Sequence, residues 1–112
     1  MLPKVNRLVK KKDFDLVFKN GESARDGFLI VKMLKNNLPE SRFGFVISKK
    51  ISPKATVRNK IKRRLGDAVS GNLKNLKKSA DVVVITLPGI EKKEFEDLLN
   101  TVNSSLRKIK LI

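Results

Sequence analysis

Residues 48–66 read SKKISPKATVRNKIKRRLG (Ser48–Gly66). At about 100° per residue, Val57, Ile61, Leu65 and Ala68 fall on one side of a helix. Arg58, Asn59, Lys62, Arg63 and Gly66 form a contiguous polar side. The stretch predicts a helix with an apolar face for a core and a basic face left over. Strand-like runs flank it, RFGFVIS (Arg42–Ser48) before and VVVIT (Val82–Thr86) after, so the context is strand–helix–strand. From Ser41 to Gly66 there is no Asp or Glu. Solvated helix faces ordinarily mix signs, because opposite charges at i,i+4 support the helix. Cations this dense repel one another, and the folded chain gains nothing from them. The compensating negative charge has to come from a partner.

Whole-chain composition agrees. The 112 residues suffice for one compact domain, expected to span 1–112, with one modest core. A formal net charge of +15 and a pI near 10.4 point to a polyanion, of which nucleic acid is the commonest. A membrane surface is the competing partner. It is disfavoured because the chain has no Trp to face lipid and no Cys to acylate. The opening MLPKVNRLVKKKDF lacks the apolar core of a signal peptide. No window approaches the roughly 18 apolar residues of a spanning helix. A cytoplasmic protein without membrane contact is expected.

The chain has no His and no Cys, so the commonest general base, the most nucleophilic side chain and most zinc ligands are missing. Of the eleven acids, the densest group, Glu91 to Asp97, falls in the first turns of a predicted helix. Acids there interact favourably with the helix dipole. No self-sufficient active site is visible, and catalytic and protein-bound metal residues are expected to be none. Any chemistry is expected from a partner.

Elsewhere, KKDFDLVFKNG predicts a short first helix with Asp13 as N-cap and Asn20-Gly21 as its stop. FLIVKML (Phe28–Leu34) predicts a strand, and Glu22 to Arg25 a further one. KNNLPES is a turn. In Arg42–Ser48, Phe43, Phe45 and Ile47 share one face, Gly44 and Val46 the other. Phe95, Leu98, Leu99, Val102, Leu106 and Ile109 make a helical stripe for packing on a sheet.

VRNKIKRR with SKK upstream resembles the signature of the protein component of bacterial ribonuclease P: Arg-Asn, two residues, then Lys-Arg, on a helix after a Ser-Lys-Lys strand end. NRLVKKKDFDLVFKNG resembles that family's opening helix, and SADVVVITLPG its last strand. The likeness runs through nearly the whole chain in order. It implies an α+β fold, a two-layer α/β sandwich. About four strands pack with three helices, with a left-handed βαβ crossover, as in the second domain of a ribosomal small-subunit protein. It also implies a subunit that binds a catalytic RNA and the 5′ leader of precursor tRNA and assists removal of that leader. No stable protein partner is implied, and Mg2+ is expected to serve the RNA. Carried across, the RNA-binding block is Arg58, Asn59, Lys62 and Arg63, with Lys49, Lys50 and Lys54 beside it. Phe14 and Phe18 become the leader-binding aromatics. Their spacing with Val17 fits a plain core stripe equally well, so both roles stay open.

The chain departs from the family at two places. Gly66 stands where an Arg is usual, and Val31 where the central strand often carries a Tyr facing the leader. A non-enzymatic RNA-binding protein of ribosomal type fits the composition equally well, and only the Arg-Asn constellation separates the two. DNA binding ranks third, because strand–helix–strand does not suggest a helix-turn-helix.

Overall fold

The computed structural model describes residues 2–112. After a short 3-10 turn at Lys4–Asn6 come α1 (Lys11–Asn20), β1 (Glu22–Asp26), β2 (Leu29–Lys35) and β3 (Arg42–Val46). Then follow α2 (Ala55–Ser70), β4 (Ala80–Thr86) and α3 (Phe95–Lys108). The strands form one mixed sheet in the order β1-β2-β4-β3. β1 with β2 and β2 with β4 are antiparallel, while β3 and β4 run parallel, joined through α2. A parallel neighbour cannot be reached by a tight hairpin, so the chain needs a crossover, and the amphipathic 48–66 stretch supplies it.

Alternation along β2 sorts the sheet into two faces. Leu29, Val31 and Met33 point to the main core, and Ile30, Lys32 and Leu34 to the other side. β4 has neighbours on both edges and packing on both faces, so it reads as a nearly continuous apolar run. Val82 and Val84 enter the main core with Phe43, Ile61, Leu65, Leu98, Val102 and Leu106. Val83 turns to a smaller cluster with Leu8 and Val17. Thus α2 and α3 cover one face, and α1 partly covers the opposite one.

Several local expectations change. Asp13 is not the N-cap of α1; Lys10 holds that position. The Asp13 carboxylate instead reaches the Arg42 guanidinium at 3.4 Å. Gly21 does end α1, but with φ −76° rather than in the left-handed region. Its hydrogen is needed because a Cβ there would lie 2.5 Å from the Val17 carbonyl and 3.1 Å from that of Met33. Val31 is buried in the main core, so an aromatic side chain at this position would not face the α1 side of the sheet. Phe95 opens the predicted stripe but stays 39% exposed, because α3 begins with it and the sheet-facing turn starts at Leu98. The acids around it serve the helix start: Glu94 and Asp97 form a reciprocal capping box, and Glu91 accepts from the Gly89 amide.

Candidate nucleic-acid interface

Asn59, Lys62, Arg63 and Gly66 follow one another at helical spacing on α2 and line a single cleft. Its far wall is the N-terminal segment, placed where the Leu8 amide donates to the Phe43 carbonyl at 2.9 Å. That contact extends the sheet beyond β3 by one bridge, Arg7 to Phe43. The cleft has a volume of about 430 Å3, with Leu8, Phe14, Phe43 and Phe45 below and Arg7, Asn59, Lys62 and Arg63 around the mouth. No Asp or Glu lines it. Asn59, Lys62 and Arg63 are all exposed, and no ion pair among the described residues involves them.

The remaining basic residues divide. Lys49 and Lys50 are exposed in the turn between β3 and α2, and Lys54 is the residue preceding the helix. Its backbone amide donates to the Ser52 hydroxyl at 3.2 Å. The first turn of α2 contains no acid, so the positive end of the helix dipole adds to these cations. Arg58 does not join the cleft. Its Nη1 donates to the Ser52 carbonyl at 2.8 Å and stitches the turn to the helix, leaving it half-buried.

Phe14 and Phe18 share the α1 stripe with the fully buried Val17, yet their surroundings differ. Phe14 packs beside Leu8, Val17 and Val83 and lies against Gly44, where a Cβ would collide with its ring. Another part of it lines the cleft, so it serves core and cleft together. Phe18 is 41% exposed, with the Lys32 ammonium 5.7 Å from its ring centroid. An aromatic face with a cation beside it is suited to an unstacked base and its phosphate.

Sequence reasoning missed Arg7, Leu8 and Lys32. Arg7 and Leu8 join the site only through pairing of the N-terminal segment with β3, and no periodicity announces a one-residue bridge. It also missed how α1 is tied down. Arg42 donates from Nε to Asp81 Oδ1 at 2.8 Å and from Nη2 to Oδ2 at 2.7 Å, and Asn36 donates to the same carboxylate at 2.8 Å. With Asp13 the group fixes the start of α1 to the heads of β3 and β4. The Asp81 hydrogen bonds raise the Arg42 pKa against the opposing effect of burial. The stability contributed by this raised pKa is present through neutral pH and is lost as the pH rises into the strongly alkaline range.

The ribonuclease P family model matches residues 2–110. The chain belongs to the ribonuclease P protein family. It is 33% identical over 107 residues to the ribonuclease P protein component of Alkaliphilus metalliredigens, covering 96% of each chain. With that of a Pseudanabaena species it shares 34% over 113 residues, covering all of this chain and 97% of the other. Among solved structures, the RNase P protein of Thermotoga maritima superposes with a TM-score of 0.84 at 31% identity, covering 93% of this chain and 97% of that one. A Staphylococcus aureus RNase P protein mutant with defective mRNA degradation activity gives 0.90 at 25% identity, covering 97% and 92%. The family carries the α+β fold read from the sequence and separates this chain from a free-standing RNA-binding protein of ribosomal type. As a ribonuclease P protein component, the chain is part of a ribonucleoprotein endoribonuclease that processes tRNA 5′ ends, and its partner there is the RNA subunit. Among the described residues, no group of three or more His, Cys, Asp or Glu side chains is arranged to hold a metal ion. No helix among them is long and apolar enough to cross a membrane.

Proposed function

We propose that α2 docks the protein on the catalytic RNA through Asn59, Lys62 and Arg63. Lys49, Lys50 and Lys54 extend the contact along the preceding turn, and Arg58 holds that turn in place. The 5′ leader of precursor tRNA then runs across the α1 side of the sheet, over Phe18 and Lys32 and the exposed part of Phe14. The observation that carries this reading is the acid-free run from Ser41 to Gly66, folded so that Lys62 and Arg63 stand exposed at one cleft and Lys49, Lys50 and Lys54 stand exposed on the turn before it. In this role the protein supplies fixed cations and the RNA supplies the chemistry, with Mg2+ held by the RNA. Protein cations replace part of the ionic screening that docking of two RNAs otherwise requires. The place of action is the cytoplasm, where precursor tRNA is made.

Reconstitution with a bacterial ribonuclease P RNA and a precursor tRNA tests this. At low magnesium, cleavage is expected only when the protein is added, and the magnesium needed for half-maximal rate is expected to fall. Cleavage by rigorously purified protein without the RNA, or an unchanged magnesium requirement, would overturn it.

A further inference from the structure

The cleft between α2 and the N-terminal segment is more than a basic surface. Phosphate contacts need only cations on a convex face, but this site has an apolar floor. Leu8, Phe14, Phe43 and Phe45 lie beneath a mouth formed by Arg7, Asn59, Lys62 and Arg63. Its volume, about 430 Å3, falls within the roughly 300–1,000 Å3 of small-ligand sites. Gly44 and Gly66 line it, and both keep it open. At Gly44 a side chain would displace the Phe14 ring; at Gly66 a Cβ would meet only Leu2, at 3.8 Å.

The cleft also contains hydrogen-bonding groups able to read a flat polar edge. β3 is the last strand of its sheet, and its Phe43 carbonyl is taken by Leu8. By strand alternation the Phe45 peptide groups point the same way, toward the cleft. No strand among the described residues pairs with this edge beyond the Arg7–Phe43 bridge. Asn59 adds an amide with both donor and acceptor. Aromatic and aliphatic walls, an edge reader and a cationic rim without acids together match one nucleotide. The base enters the cleft and its phosphates stay on Lys62, Arg63 and Arg7.

We propose that this cleft captures a single unstacked nucleotide of the RNA subunit, so that α2 docks by base insertion as well as by phosphate contact. This rests on the reading of α2 as the RNA-docking face. The RNA subunit is favoured over the leader because the rim is built from α2, whereas Phe18 and Lys32 stand on α1 and β2 and line no part of the cleft.

Two measurements test it. In the first, wild-type protein is titrated with adenosine or uridine 5′-monophosphate and, separately, with ribose 5-phosphate, while glycine amide resonances are followed by NMR. The nucleotides are expected to shift Gly44 and Gly66, whereas the sugar phosphate leaves both in place. In the second, Gly66→Leu fills the cleft without changing charge, and leucine favours the helix. Its affinity for the RNA subunit is expected to fall about tenfold, the scale of one stacked base. Its salt dependence and the affinity gained from leader nucleotides are expected to stay unchanged. Equal shifts with and without a base, or full RNA affinity in the filled variant, would overturn base capture while leaving α2 docking intact. Loss of the leader-dependent affinity alone would assign the cleft to the leader and overturn the proposal. Failure of the wild-type protein to bind the RNA subunit would instead remove the docking reading itself. If Gly66→Leu does not fold, the resonances of the wild-type protein decide.

Discussion

α2 and α3 pack side by side on one face of the same sheet, yet they treat charge in opposite ways. α3 begins with the Glu94–Asp97 capping box, carries Glu96 and Asp97 in its first turn and ends in Arg107 and Lys108. All of these suit its dipole. Ser104 donates to the Asp26 carboxylate, Lys108 lies 3.6 Å from it, and together they fasten α3 to β1. α2 has no side-chain cap, no acid in its first turn and no base in its last. Its apolar face packs into the core through Ile61, Leu65, Ala68 and Val69, and Arg58 ties its start to the preceding turn. A helix whose terminal charges suit its dipole and tie it to β1 therefore sits beside one whose Lys62 and Arg63 enter no ion pair among the described residues. The absence of internal compensation marks the binding face more sharply than the number of lysines does.

Reversing charge on each helix gives the most direct challenge to this contrast. Lys62→Glu with Arg63→Glu is expected to lower affinity for the RNA subunit by about 100-fold, from two lost charge-assisted contacts. The slope of log K against log salt should fall in magnitude by roughly 1.5. Thermal melting should be unchanged or slightly higher, since like-charge repulsion is relieved. A clear loss of stability with RNA binding intact would mean that α2, like α3, uses its charges for folding. On α3 the expectation is inverted. Asp97→Ala removes one half of the capping box and should cost about 1 kcal/mol in denaturant unfolding with RNA affinity unaltered.

Gly66→Arg sharpens the contrast from the other side. Residue 66 lies inside α2, which continues to Ser70, so the substitution replaces the poorest ordinary helix former by a good one. Melting should rise, by up to about 1 kcal/mol of stability, and salt dependence should steepen by about 0.7 to 0.9. A drop in melting temperature would show that the space beside Leu2, where a Cβ has an ordinary contact, does not take a long side chain. The smallest effects belong to single truncations. Arg58→Ala and Arg63→Ala should each weaken RNA binding more than Lys110→Ala, which sits near the chain end, measured as Kd at fixed salt. They should differ in kind: Arg58→Ala loosens the Ser48–Lys54 turn and shows faster amide exchange there, whereas Arg63→Ala leaves exchange unchanged. Identical effects at all three sites would favour a diffuse charge cloud over a docking face.

The elements themselves were largely legible. Alternation located β3, helical periodicity α2 and α3, and apolar runs of strand length β2 and β4, all within a few residues, because each buries a face or both faces in the core. The expected strand at Glu22 to Arg25 also formed, as β1 on the sheet edge. What failed were single-residue roles. Asp13 looks like a cap in the sequence, but a carboxylate one turn from an arginine on a neighbouring strand gains more from that guanidinium than from its own helix. At Arg58 the fold adds a contact that no local pattern announces, the hydrogen bond from Nη1 to the Ser52 carbonyl. Val31 cannot be assigned a face until the register with Val84 is known.

By itself the sequence determined the partner's charge and the helix that meets it. Net charge, the lack of acids between Ser41 and Gly66 and the spacing on α2 are properties of the chain, and folding does not change them. The tertiary structure decided what stands across from that helix. Leu8 and Arg7 form one wall of the cleft because Leu8 reaches the Phe43 carbonyl, 35 positions further along the chain. Phe14 of α1 is both core and cleft because Gly44, on β3, leaves room for its ring. Such pairings arise from contacts between segments distant in sequence, each too weak to leave a local pattern and fixed only when the sheet and its two cores close together.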